Sequence, residues 1–135
     1  MRLTAYAIKG IIRLMWTVEL ASEFEPELRA LSADVRIELV AQARVIERFG
    51  PTTGRPRVDT LKGSRHANMK ELRFDADGGA WRVAFAFDPG RKAILLAAGD
   101  KSGQSERAFY RRLIATADKR FDAHLEQVKS RNARK

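Results

Sequence analysis

The chain has 135 residues, a formal net charge of +9 and no cysteine. That length suffices for one domain with its own core, and the missing thiols exclude disulfides and cysteine-bound metal, leaving only His66 and His124 as imidazole ligands. No metal or cofactor is expected. The opening stretch "MRLTAYAIKGIIRL" is faintly apolar, but Lys9 and Arg13 interrupt it and no other window reaches membrane length, so a cytoplasmic protein is expected, with no membrane partner. Met15 can itself begin the chain. Residues 1–14 are therefore read as an N-terminal extension, 15–126 as a single domain and 127–135 as a basic, frayed tail.

In chain order, "WTVELA" alternates Trp16, Val18 and Leu20 with Thr17 and Glu19, the period of a half-buried strand. Ser22, with Glu25 three residues on, opens a short helix that ends near Leu31. Ser32 caps a second helix, in which Val35, Leu39, Ala43 and Ile46 recur at helical steps until Gly50-Pro51 stops it. Together the two form a helical hairpin. The segment from Gly50 to Asn68 is a long loop with a short strand near Val58, and such loops are commonly functional or disordered. Three strands follow, "MKELRF", "AWRVAFAF" and "AILLAA", the last two joined by Asp88-Pro89-Gly90-Arg91, which suits a type II turn. A final helix starts around Ser105. This order predicts an α+β domain in which a small antiparallel β-sheet carries an N-terminal helical hairpin and a C-terminal helix, the helices on one face.

Charge is unevenly distributed. Met15 to Phe49 holds seven acidic and four basic residues, whereas Gly50 to Phe74 holds six basic residues against Asp59 and Glu71. The loop cations Arg55, Arg57, Lys62 and Arg65, with Lys70 beside them, fit the phosphates of a polyanion, RNA or DNA before an acidic protein or membrane. Strand alternation adds a second cluster. Trp81, Val83, Phe85 and Phe87 form a core face, and Arg82, Ala84 and Ala86 the opposite one. With Leu72 and Phe74 in the same core, Arg73 and Arg82 emerge together on the uncovered side. Lys101, just past the last strand in "GDKSGQSERAFYRRL", leans over that cationic floor, Tyr110 overhangs it from the helix, and His66 approaches from the loop. Each has a plainer reading: Arg82 and Lys101 as solvated surface residues, Arg73 paired with Glu71, Tyr110 as packing and His66 as a solvated loop residue. His124 is assigned to the surface, Trp16 and Trp81 to the core.

The ordered set "LKGSRHANMKELRF", "WRVAFAF", "ILLAAGDKSG" and "FYRRLIATAD", after a paired-helix segment, resembles the RelE/ParE superfamily of toxins from type II toxin–antitoxin modules, most closely the HigB branch. The resemblance spans roughly Met15 to His124. It implies a cytoplasmic endoribonuclease that binds the ribosome and cuts mRNA without metal, through attack by the ribose 2′-hydroxyl. It also implies a cognate antitoxin, a helix-turn-helix protein of the HigA type, and higher-order assembly with it. By position, Arg82 matches the arginine of the family's Tyr-Arg strand motif and Arg73 the arginine closing the preceding strand. Lys101 matches the basic residue after the last strand, and Tyr110 the tyrosine of the terminal helix.

Two positions depart from that pattern. Glu71 stands where mRNA-cleaving members carry a lysine, and their Gly-Lys-Arg-like corner is here Gly99-Asp100-Lys101. Both changes remove positive charge and leave the general base open between His66 and Glu71. The same resemblance admits a ParE-like inhibitor of DNA gyrase with no nuclease site, and the basic loop alone admits a non-catalytic RNA-binding module. Convergence of Arg73, Arg82 and Lys101 favours the nuclease.

Overall fold

The computed structural model describes residues 2–3 and 16–134, so the expected N-terminal extension lies, but for a two-residue strand, outside the described residues. The elements are β1 (Arg2–Leu3), β2 (Thr17–Leu20), α1 (Phe24–Ala30), α2 (Ala33–Phe49), β3 (Val58–Thr60), β4 (Lys70–Ala76), β5 (Gly79–Phe87), β6 (Lys92–Asp100) and α3 (Glu106–Ala133). They form an α+β fold around one sheet of order β1-β2-β6-β5-β4-β3. Adjacent pairs are antiparallel except β2 and β6, which run parallel.

Local chemistry sets the hairpins. Asp77 and Gly78, both at positive φ (50° and 74°), make the two-residue turn between β4 and β5, as an Asp-Gly pair favours. Between β5 and β6 the expected type II turn is not found: the left-handed step falls on Arg91 (φ 64°), not on Gly90. The cause is Asp88, whose Oδ1 accepts from the backbone of both Gly90 and Lys92 and folds the corner around its own side chain. Ser32 caps α2 as its sequence suggests, whereas α1 starts at Glu23 without a side-chain cap.

The layering differs from the one-faced arrangement expected. Residues 83–86 of β5 and 93–96 of β6 are buried in unbroken runs, which requires cover on both faces. The hairpin α1–α2 lies over the face of Val18, Leu72, Val83 and Phe85, with α2 packed on β2 and β4. Across the other face runs α3, packed on β5 and β6 over Ala84, Ala97 and Gly99. The alanines expected to floor an open site are what let α3 approach. At Gly99 the fit is closest, since a Cβ there would stand 2.8 Å from the Phe109 ring.

The C-terminal helix also exceeds expectation, continuing through the predicted tail to Ala133. His124, expected at the surface, is buried and pairs at 2.8 Å with Asp88 Oδ2, which ties the β5–β6 turn to the helix. A bulge at Leu96 in β6, between the pairs Ala84–Ala97 and Phe85–Leu95, leaves a carbonyl out of the ladder. Arg120 donates to that carbonyl at 2.8 Å and to both carboxylate oxygens of Glu27 at 2.8 and 2.6 Å, joining α1, α3 and the sheet.

Arg120→Ala should therefore lower unfolding free energy by about 2 kcal/mol, less than for a fully buried pair because Glu27 is half exposed. The hydrogen bond from Arg120 holds the Glu27 carboxyl below its usual range. Its stabilisation is thus complete above the unfolded-state value, near pH 4.5, and is lost as pH falls through the lowered one. Urea unfolding of wild type and Glu27→Gln should differ at pH 7 and converge in acid.

Candidate functional site

The register places Arg73 directly opposite Arg82, and Glu71 opposite Ala84, all on the face that α3 crosses. One turn beyond its Ser105 cap, α3 brings Tyr110 down onto this group. The Tyr110 hydroxyl donates to Glu71 Oε1 at 2.8 Å, and Arg73 Nε donates to the same oxygen at 2.9 Å. Arg82 Nε lies 3.4 Å from it, without hydrogen-bond geometry to any acceptor. Glu71 is the hub: only 4% exposed, it gathers a phenol and two guanidinium groups around one carboxylate oxygen. Its other oxygen makes no hydrogen bond among the described residues.

Glu71, Arg73 and Tyr110 wall a cleft of about 340 Å³, together with Asp59, Lys62 and Glu106 among others; Arg82 does not line it. Burial, reinforced by the neighbouring Glu71, raises the Tyr110 hydroxyl above the ordinary tyrosine range, so it stays protonated at neutral pH and can donate. The hydrogen bond from Arg73 to Glu71 raises the Arg73 guanidinium in turn, fixing its charge. Lys101 Nζ pairs with Glu106 Oε1 at 2.8 Å, and that contact holds Glu106 below the usual carboxylate range, with Arg82 and Arg73 adding to the effect. Rather than a bare cationic floor, the site is an interleaved network. Lys101 is at its edge and does not line the cleft.

His66 stands elsewhere. Its Nε2 lies 2.7 Å from Asp122 Oδ1 and its ring sits edge-on to Phe121. Asp122 follows Tyr110 by twelve residues, roughly 18 Å along the helix at 1.5 Å per residue. The loop carrying it is ordered by two acids of α3: buried Asp118 accepts from Ser64 Oγ at 2.5 Å and the Arg65 amide at 3.1 Å, while Asp122 takes the Arg65 guanidinium. The hydrogen bond from His66 lowers the Asp122 carboxyl.

The other loop cations divide by partner. Arg55 pairs with Asp59 at 3.1 Å, and Arg65 is paired with Asp122. Among the described residues the Arg57 side chain binds only the Gln42 amide oxygen, at 2.5 Å, and that of Lys70 only the Thr60 hydroxyl, at 3.4 Å. Lys62 is exposed and makes no ion pair among the described residues. From the sequence, Glu71 stands as a departure, as one of two possible bases and as a partner for Arg73, the last of which the structure shows, whereas Glu106 was not identified at all. Alternation along "MKELRF" put Glu71 and Arg73 on one face, but the hub role depends on α3, whose approach was not legible. Among the described residues no group of histidines and carboxylates is placed to hold a metal ion.

The family model described as Phage derived protein Gp49-like matches residues 26–122. HigB2 of Mycobacterium tuberculosis, named as a toxin, is 42% identical over 113 residues, 83% of this chain. The match covers 55% of HigB2, so the chain spans about half the length of that relative. HigB3 of the same organism, also named as a toxin, is 44% identical over 96 residues, 71% of this chain and 82% of HigB3. Among solved structures, a free-state form of the E. coli toxin RelE with two arginines replaced by alanine superposes with a TM-score of 0.52. At 12% identity over 76% of this chain and 96% of RelE, that likeness shows the fold alone. By the model match and the two relatives together, the chain belongs to the Gp49-like family and is similar to members named as HigB toxins.

Proposed function

We propose that this chain is the toxin of a toxin–antitoxin pair and acts as a ribosome-dependent mRNA endonuclease, neutralised by a cognate antitoxin. The observation that carries the reading is buried Glu71 in the cleft wall, which gathers Tyr110 and Arg73 there and has Arg82 Nε 3.4 Å away. RNA cleavage by the 2′-hydroxyl needs a base for that hydroxyl, cations for the charge growing on the phosphate and an acid for the departing 5′-oxygen. Glu71, through its unused oxygen, takes the 2′ proton. The 2′-oxygen bonds to phosphorus as the bond to the 5′-oxygen breaks, giving a 2′,3′-cyclic phosphate. Arg73 and Arg82 stabilise the phosphorane-like charge, and protonated Tyr110 supplies the proton to the leaving oxygen. Lys101 adds long-range positive potential, tempered by Glu106.

Single-turnover cleavage of mRNA on programmed ribosomes tests this reading. It expects a defined cut in the decoding site. Intact mRNA together with loss of gyrase supercoiling would overturn it in favour of protein-contact inhibition.

Affinity should come from cations that have no carboxylate to leave. Lys62→Ala/Lys70→Ala should lower the log–log salt slope of single-stranded RNA binding by about 1.4, near 0.7 per phosphate contact. Replacing Arg55 and Arg65, each already paired, should lower it less. Equal slopes in both double variants would remove this distinction.

A further inference from the structure

A second cleft, of about 500 Å³, opens on the other side of Arg73 and includes Arg82 in its wall. We propose that it holds a nucleobase of the bound RNA, one that presents an exocyclic amino group. The proposal rests on the nuclease reading for its placement: Arg73 lines both clefts, so a strand whose phosphate lies on Arg73 has one nucleotide on each side.

The walls suit a base better than a backbone. Pro56 and the nearly buried Phe74 supply apolar surface, and the exposed Arg57 guanidinium supplies a flat cationic plane of the kind on which bases stack. That guanidinium is held in place, its Nε bound to Gln42 Oε1 at 2.5 Å, while Gln42 Nε2 donates to Glu38 Oε1 at 2.7 Å. The amide is thereby oriented at both ends. On the rim stands Asp75, exposed and without a side-chain hydrogen bond or ion pair among the described residues, and with Glu38 it gives the cleft two carboxylates. Carboxylates repel phosphate and acidic peptide alike, but accept from amino-bearing base edges. Adenine, cytosine and guanine carry such an edge; uracil offers two carbonyls and a single N–H. The cleft therefore discriminates against uracil.

Two measurements test this. Titration of the full chain with 5′-AMP, 5′-CMP, 5′-UMP and ribose 5-phosphate, read by NMR, should shift the Gln42 side-chain amide and Arg57 Nε–H signals with AMP and CMP. UMP should bind at least about fivefold more weakly at 1.36 kcal/mol per tenfold, a difference near 1 kcal/mol, and ribose 5-phosphate should leave both signals unmoved. Asp75→Asn should bring CMP and UMP within about twofold, as loss of one charged acceptor predicts. Equal shifts with ribose 5-phosphate would show a phosphate site only and overturn the proposal, as would equal affinity for UMP and CMP or no shift at either residue. On programmed ribosomes, wild type should disfavour uridine at one position beside the cut, and Asp75→Asn should relax that preference. Cleavage with a preference unchanged by Asp75→Asn would overturn the base cleft alone. Absence of cleavage alongside the expected titration would overturn the nuclease reading and leave the cleft standing.

Discussion

Arg82→Ala should slow single-turnover mRNA cleavage by about a hundredfold or more, some 2.7 kcal/mol of lost transition-state stabilisation. The side chain leaves β5 opposite Gly99, is 13% exposed, and brings its Nε within 3.4 Å of Glu71 without using it in a hydrogen bond there. Held there beside the cleft, the guanidinium acts on the developing phosphate charge through its positive field, which a partly buried setting screens less than water does. The substituted position sits beside Ala84 on a strand, so the fold should persist, and a melting temperature close to wild type would separate lost chemistry from lost structure. Arg73→Ala should match it, because Arg73 lines the cleft itself. Lys101→Ala should do less: its ammonium is engaged by Glu106 at the edge of the site, whereas Arg82 lies against Glu71. Wild-type rates in both arginine variants would remove the proposed site.

Glu71→Gln should cost a similar factor, of order a hundredfold, in the range that general bases contribute. Glutamine keeps the size of the side chain and one oxygen for the Tyr110 hydroxyl, but it has neither the charge that fixes Arg73 and Arg82 nor the capacity to take a proton. If Glu71 served only as an acceptor for the Tyr110 hydroxyl, the amide oxygen would serve as well and the rate would stay near wild type. Tyr110→Phe isolates the acid, since its ring contact with Phe109 at 5.1 Å remains while the donor is gone. His66→Ala should leave the rate of the bound complex within about threefold, the scale of an indirect effect well below that of a general base, as its imidazole is engaged by Asp122 far along α3.

How these residues meet was partly legible in the sequence. Period-two alternation in "MKELRF" and "AWRVAFAF" put Arg73 and Arg82 on one face, and the register makes them direct cross-strand neighbours. The helical hairpin was equally readable, being local. What could not be read was the position of α3. Alanines at 84 and 86 look the same under open solvent as under a helix, and only tertiary packing decides. From that one ambiguity follow the buried His124–Asp88 pair, the docking of His66 on Asp122, and the conversion of a presumed cationic floor into a network centred on Glu71. The bulge at Leu96 was hidden for a related reason, as its carbonyl is satisfied by Arg120, distant in sequence.

The most direct test of the account is the chemical end left by the purified wild-type protein on mRNA in programmed ribosomes within a single turnover. The account predicts one dominant cut in the decoding site, with a 2′,3′-cyclic phosphate on the upstream fragment and a free 5′-hydroxyl on the downstream one. Uncut mRNA at full ribosome occupancy, or a 3′-hydroxyl on the upstream fragment, would contradict it.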